Sequence, residues 1–180
     1  MLQRRWLPGA MCLGLLGISI CPPSEAATGQ ARKRTRSSEN PSHVIVAGTI
    51  VDGDVDPRTL RAALEALPRR PERIVMVESD AAPAGHETQM RDLDAFVLTG
   101  SRVIYLRRQS PTLIAAEYEG GPYLLMLAAV IWHELAHTEG LDERHAQERE
   151  EDLWRQFVQR SLVDSGVGLT YLNELRRRRE

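Results

Sequence analysis

The residues with the clearest chemical role are two histidines four positions apart, His133 and His137, with Glu134 directly after the first. Residues four apart lie on one face of a helix, with Cβ atoms about 6 Å apart. Two imidazoles at that spacing can bind one Zn²⁺, because Zn–N bonds are about 2.0–2.1 Å long. The Glu134 carboxylate would then reach the water held by the metal and accept its proton. The spacing therefore predicts two metal ligands and a general base.

An apolar segment leads into these residues and predicts a buried helix. Gly121 and Pro122 open the segment, and proline suits the first turn of a helix. Residues 123–132 are then apolar at nearly every position, which is typical of a helix buried on most of its faces. Gly140 is expected to end the helix. Burial of this kind would hold the metal ligands rigidly.

A catalytic zinc usually has three protein ligands, and the third is expected from the acidic segment after His137. A second helix is predicted over residues 142–164, with an apolar stripe that should face the core. The stripe consists of Leu153, Trp154, Phe157, Val158 and Leu162. Extended backwards in steps of three and four, it reaches Glu150 and then Glu143, the nearer of the two to the first helix. We favour Glu143 as the third ligand. The alternatives that stay open are Glu150, Glu148, Glu151 and His145.

The segment from Pro122 to Glu151 resembles the zincin metallopeptidases, whose signature is HExxH. Residues 133–143 read HELAHTEGLDE. They keep the glycine of the metzincin pattern HExxHxxGxxH, but Glu143 replaces its last histidine. No methionine follows Met126, so the metzincin methionine turn is missing. Gluzincins take a glutamate from a following helix, often as Glu-x-x-Ala-(Asp/Asn). The ERHAQ sequence of residues 143–147 is similar, with Gln147 in the last place and an unusually short gap after the second histidine.

The resemblance implies a small gluzincin-like domain of the α+β class. In such a zincin-like fold, a small mixed β-sheet packs on a backing helix and on the HExxH helix, and C-terminal helices follow. The cofactor would be Zn²⁺, and the partner a protein or peptide substrate whose peptide bonds are hydrolysed with Glu134 as general base. An edge strand of the sheet borders the cleft in these enzymes and can bind substrate as an added strand; Val103–Leu106 is our candidate. The alternatives are a non-catalytic zinc-binding module in the cell envelope and a cell-wall peptide amidase.

The elements before the motif follow from local patterns. The β-branched run His43–Val51 predicts one strand. Asp56 and Pro57 suit the N-cap and first position of a helix that extends to Leu67. Further strands are predicted at residues 73–78, 95–98 and 102–106, with a hairpin-like turn at 99–101 and a loop at 81–91.

The N-terminus predicts an exported protein, periplasmic or secreted. Arg4 and Arg5 precede the apolar stretch Leu7–Ile20, which has the length of a signal-peptide core and is too short to span a membrane. Cleavage is expected after Ala26. The predicted organisation is a signal peptide at 1–26, a basic linker at 27–41 and a metallopeptidase domain at 42–180. A lipoprotein linked at Cys21 is less favoured because the residue before the cysteine is not small, and an uncleaved anchor is a further alternative. No stable membrane insertion is expected once the signal is removed.

Charge and cysteine content exclude other classes of protein. The chain has 23 basic and 25 acidic residues and a net charge of −2 at pH 7, which is not the balance of a nucleic-acid-binding protein. Both cysteines lie within the signal segment, so neither a disulfide framework nor a catalytic thiol is expected in the mature chain. The basic run at residues 176–179 is interpreted as a solvated helix end, where positive charge suits the helix dipole.

Overall fold

A computed structural model describes residues 43–78 and 93–178. The predictions for the signal peptide, the linker and the loop at 81–91 lie outside the described residues. Those residues form an α+β fold with a mixed five-stranded sheet and five helices, which confirms the general class. The strands are β1 His43–Val46, β2 Thr49–Asp52, β3 Arg73–Val77, β4 Ala95–Val97 and β5 Val103–Arg107. The helices are α1 Pro57–Glu65, α2 Pro111–Tyr118, α3 Pro122–Thr138, α4 Glu143–Gln159 and α5 Ser165–Arg177.

The first predicted strand, His43–Val51, is wrong as a single element, because the chain reverses within it. Ala47 and Gly48 have φ angles of 50° and 87°, and β1 pairs with β2 antiparallel across them. Two successive positive φ angles are typical of a type I′ hairpin turn. The sequence conceals this turn because alanine rarely adopts such a conformation and β-branched residues continue on both sides.

The first helix forms as predicted at its N-terminus. The Asp56 side chain accepts hydrogen bonds from the backbone N–H groups of Arg58 and Thr59, and Pro57 occupies the first turn. The helix ends at Glu65 rather than at Leu67. It connects β2 to β3, which pair in parallel, and a parallel pair requires such a crossover.

The order of the sheet is β1-β2-β3-β5-β4. The predicted hairpin between β4 and β5 is confirmed by their antiparallel pairing. The choice of Val103–Leu106 as the edge strand is wrong, because β5 pairs with β3 on its other side. The strand that ends this side of the sheet among the described residues is β4. The sequence could not decide between the two, since strand order depends on the distant β3.

The HExxH residues lie in α3, which occupies the bounds that the sequence predicted. Pro122 is its first residue and Gly140 follows its end with a φ of 83°. Helix α3 contacts α1, α2, α4, β4 and β5 and is therefore central to the core. It is preceded by α2, which was not predicted from the sequence. Ser110 caps α2 by accepting a hydrogen bond from the Leu113 N–H (3.1 Å). In the described ranges, no helix is both long and apolar enough to cross a membrane.

The second predicted helix, residues 142–164, begins correctly but ends too late. Helix α4 stops at Gln159, Ser161 has a φ of 56°, and α5 begins at Ser165. Leu162, counted in the apolar stripe, is 55% exposed. Helices α4 and α5 pack through Trp154, whose indole N–H donates to the Gly168 carbonyl (3.0 Å).

Candidate metal centre

Helix α3 places the two histidine rings of the motif side by side. His133 and His137 have ring centroids 4.9 Å apart, and their Nε2 atoms are 3.2 Å apart. His133 is buried and His137 is half-buried, while Glu134 between them is 9% exposed. The four-residue spacing therefore brings both imidazoles to one point, as the sequence predicts.

A tight turn brings Glu143 to the same point. The Gly140 N–H donates to the His137 carbonyl (3.0 Å) and the Leu141 N–H to the Ala136 carbonyl (3.1 Å), which is the Schellman pattern of a helix ended by glycine. The chain then enters α4, whose first residue is Glu143. Its two carboxylate oxygens lie 3.5 Å from the Nε2 atoms of His133 and His137, respectively.

These three side chains, called the triad below, fit a zinc ion. Two atoms each bonded at about 2.05 Å to a tetrahedral metal lie about 3.3 Å apart. The triad distances of 3.2, 3.5 and 3.5 Å are close to that value. Two imidazoles and one carboxylate are also a ligand set that catalytic zinc takes. Among the described residues, these three form the one cluster with metal-ligand spacing.

The ring nitrogens facing away from the triad fix the orientation of both histidines. His133 Nδ1 lies 2.9 Å from a Glu150 carboxylate oxygen, and His137 Nδ1 lies 2.9 Å from the Leu141 carbonyl. Both partners can only accept, so Nδ1 is the donor in each ring. In the neutral imidazoles, both Nε2 atoms are then acceptors. Two acceptor nitrogens and a carboxylate converge, an arrangement that a cation satisfies.

The other candidates for the third ligand lie elsewhere. Glu150 lies behind His133, on its Nδ1 side, and is 2% exposed. Glu148 is 3.6 Å from Arg144. Glu151 hydrogen-bonds Arg155 (2.5 Å). His145 bonds to Asp142 (2.7 Å), the N-cap of α4. Of the five, the structure brings Glu143 to the two histidines.

The charges around the triad favour a bound cation. Burial lowers the pKa of His133, but hydrogen bonds to Glu143 and Glu150 outweigh it and raise that pKa to about 10. The hydrogen bond to Glu143 likewise raises the pKa of His137, against the opposing effect of burial. The carboxylates that hold a proton on the imidazoles would equally stabilise a metal ion, which competes with protons for such ligands.

Glu134 lies in a different environment from the triad carboxylate. It is buried, and this burial raises its pKa against the opposing effect of the two histidines. A carboxylate with a raised pKa is a stronger base. The position directly after His133, which the sequence singled out for a base, therefore carries a carboxylate suited to proton transfer.

A groove of about 1070 Å³ opens over the triad. It is lined by β4 and the turn that follows it, by the triad and Glu134, by the first turns of α4, and by Arg178. The prediction that residues 176–179 form a solvated helix end is wrong for Arg178, whose side chain is 16% exposed. It lies over the Tyr171 ring, 5.8 Å from the centroid. The sequence offers no signal that distinguishes Arg178 from its neighbours in the arginine run.

Sequence reasoning also missed the partners behind His133. The Tyr171 hydroxyl donates to a Glu150 carboxylate oxygen (2.7 Å), at a buried position. Glu150 lies on the same inward stripe as Glu143, two helical turns later, so periodicity identified its face without its role. Tyr171 belongs to α5, and nothing in the sequence links that helix to the motif.

No protein-family model, curated protein or solved structure matches this chain.

Proposed function

We propose that the protein is an exported zinc-dependent metallopeptidase of the zincin type, with His133, His137 and Glu143 as metal ligands. The observation that carries the proposal is the convergence of their three donor atoms at 3.2–3.5 Å beside a buried carboxylate. A bound zinc ion would polarise a substrate carbonyl and lower the pKa of water. A purely structural site would need no adjacent base, so Glu134 favours catalysis.

Glu134 is the residue to which we assign proton transfer. Its carboxylate accepts a proton from the attacking water and then delivers it to the leaving amine, which prevents expulsion of an unprotonated amide. The raised pKa caused by burial suits both steps, because the group must bind a proton and release it in one turnover. His133 and His137 keep their Nδ1 protons on fixed acceptors and do not take part in the transfer.

The groove supports a peptide as substrate. The Arg107 N–H donates to the Asp94 carbonyl (3.0 Å), so these two residues form a hydrogen-bonded pair of the β4–β5 ladder. Such pairs alternate with non-hydrogen-bonded ones. Ala95 and Val97 therefore direct their backbone N–H and C=O groups away from β5, towards the edge of the sheet. An extended peptide could pair with these groups and lie across the triad.

The proposal is tested by cleavage of a peptide library, read by mass spectrometry, with zinc-loaded wild type and Glu134→Gln. We expect the wild type to cleave peptides and the variant to lose about 10²–10⁴-fold in kcat, the usual contribution of a general acid–base. Zinc content should stay the same. Glu117→Gln, on the exposed surface of α2, is the matched control and should behave as wild type.

Three results would contradict this assignment in different ways. Wild-type turnover by Glu134→Gln would remove the base from its role. A zinc-loaded wild type that cleaves no peptide would favour the non-catalytic zinc-binding module. Cleavage confined to purified cell-wall fragments would identify the amidase. Export is tested separately by N-terminal sequencing of protein from the envelope and medium fractions, where we expect a chain beginning at Ala27.

A further inference from the structure

We propose that Glu150 and Tyr171 are positioning residues that set the zinc affinity of the triad, so that helix α5 acts through Glu150 on the His133 ring. The inference rests on the metal site of the proposed function and not on the reaction carried out there. It assigns a role to two buried polar groups that the proton-transfer scheme leaves unused.

The contacts form a continuous buried chain. The Tyr171 hydroxyl donates to Glu150 Oε1 (2.7 Å), and His133 Nδ1 donates to Glu150 Oε2 (2.9 Å). The Arg178 guanidinium lies 3.8 Å from Oε1. Tyr171 is 3% and Glu150 2% exposed. One carboxylate oxygen is thus occupied from α5 and the other from α3.

This division of the carboxylate explains why Glu150 does not compete with Glu143 as a ligand. A carboxylate held at both oxygens cannot rotate towards the metal, and it fixes the tautomer of His133 with Nε2 as the acceptor. Partners of this kind orient a ligating imidazole and raise its basicity, and their removal typically costs about 10- to 100-fold in metal affinity or activity.

The Tyr171 hydroxyl acts as a hydrogen-bond donor to Glu150. Its burial, followed by the nearby Glu150 charge, raises its pKa well above the usual value. The geometry makes the phenol hydroxyl the donor and the Glu150 carboxylate oxygen the acceptor of this buried hydrogen bond.

The hydroxyl of Tyr171 can be separated from the packing of its ring. The ring packs against Trp154, with centroids 4.3 Å apart, and these contacts survive in phenylalanine. A purely structural tyrosine would affect the stability of the metal-free protein alone. A positioning tyrosine must also change the affinity for zinc.

The test is the zinc dissociation constant, measured by chelator competition on the metal-free full chain. We expect Glu150→Gln to weaken zinc binding about 10- to 100-fold, and Tyr171→Phe about 3- to 10-fold, as expected for one hydrogen bond. The double variant should resemble Glu150→Gln alone, because Tyr171 acts through Glu150.

Tyr118→Phe is the control; Tyr118 is 84% exposed and its change should leave zinc affinity unaltered. The visible spectrum of the Co²⁺-loaded protein should shift in Tyr171→Phe and not in the control.

The outcomes distinguish this inference from the proposed function. A lower melting temperature of metal-free Tyr171→Phe with unchanged zinc affinity would overturn it, as would additive effects in the double variant. A wild type that binds zinc and loses affinity as described, yet hydrolyses no peptide, would support the positioning role and contradict the peptidase. A wild type without zinc affinity would overturn both.

Discussion

The metal corner, where α3 turns into α4, takes its side chains from residues 133–150, whereas the sheet edge facing it depends on pairings between distant segments. In the corner, three side chains supply the candidate metal ligands, and the Schellman turn at Gly140 brings them together locally. At the edge, β4 presents backbone groups directed away from β5. Its edge position depends on the pairing of β5 with β3, which joins residues some thirty positions apart in the chain, such as Val75 and Tyr105. If the proposed function is correct, metal binding and substrate binding should depend on different regions, and each should be open to change alone.

The largest effect is expected from the loss of a metal ligand. Glu143→Ala removes one of the three donor groups. Removing a residue that only orients a ligand typically costs up to about 100-fold in metal affinity, so the loss of a ligand itself should cost more than that. Glu148→Ala, five residues further along α4 and also lining the groove, should keep zinc affinity. Chelator competition measures both. Equal zinc affinities for the two variants would contradict the assignment of Glu143 as a ligand and of Glu148 as a residue that only lines the groove.

A packing change at α5 should weaken the metal corner from a distance. A Cβ at Gly168 would lie 2.5 Å from Val158 Cγ2, so Gly168→Ala should destabilise the protein by about 1–2 kcal/mol, since overpacking costs about 1–3 kcal/mol and the better helix propensity of alanine offsets part of it. Denaturant unfolding of the metal-free protein measures this loss.

Displacement of α5 should also raise the zinc dissociation constant of Gly168→Ala, because Tyr171 would move relative to Glu150. Adding Val158→Ala creates room for the new methyl group and should restore the affinity. A Gly168→Ala protein with unaltered affinity would show that α5 packing and the metal corner are independent.

The smallest effect is expected at the sheet edge. Val97→Pro removes one N–H directed to the groove, so kcat/KM for a peptide should fall about 3- to 10-fold, the contribution of one hydrogen bond, with zinc affinity unchanged. Ile45→Pro, in β1, is the matched control. The two-residue turn at 47–48 makes Val46 and Thr49 a hydrogen-bonded pair. The next residue, Ile45, therefore also directs its N–H away from the neighbouring strand β2. Strand β1 is at the opposite end of the sheet. Loss of zinc from Val97→Pro would contradict the separation of the two regions.

The convergence of His133, His137 and Glu143 was predicted from the sequence because the information behind it is local; that they bind zinc stays a prediction. Four-residue spacing placed His133 and His137 on one face, Gly140 marked the helix end, and the backward extension of the apolar stripe selected Glu143. The same periodicity placed Glu150 on the inward face. It could not distinguish a candidate metal ligand from a residue that hydrogen-bonds His133 Nδ1. That difference depends on which side of His133 the carboxylate reaches, and on the Tyr171 hydroxyl in a helix that begins beyond the motif.

The sheet was predicted less completely because a local strand pattern does not show which strands will be neighbours in the sheet. Local composition located β3, β4 and β5 within one or two residues, yet the edge strand was misassigned. The Ala47–Gly48 reversal was also missed, since alanine at positive φ is stabilised by the hairpin rather than by its own preference. Arg178 shows the same limit: one arginine of a run turns inward because Glu150 and Tyr171 attract it.

The most direct measurement of the central claim is an anomalous difference map at the zinc edge from crystals of the zinc-loaded protein. We expect a single strong peak about 2.0–2.2 Å from His133 Nε2, His137 Nε2 and a Glu143 carboxylate oxygen, with Glu150 still hydrogen-bonded to His133 Nδ1. A peak bound by Glu150 in place of Glu143, or one away from the two histidines, would contradict it.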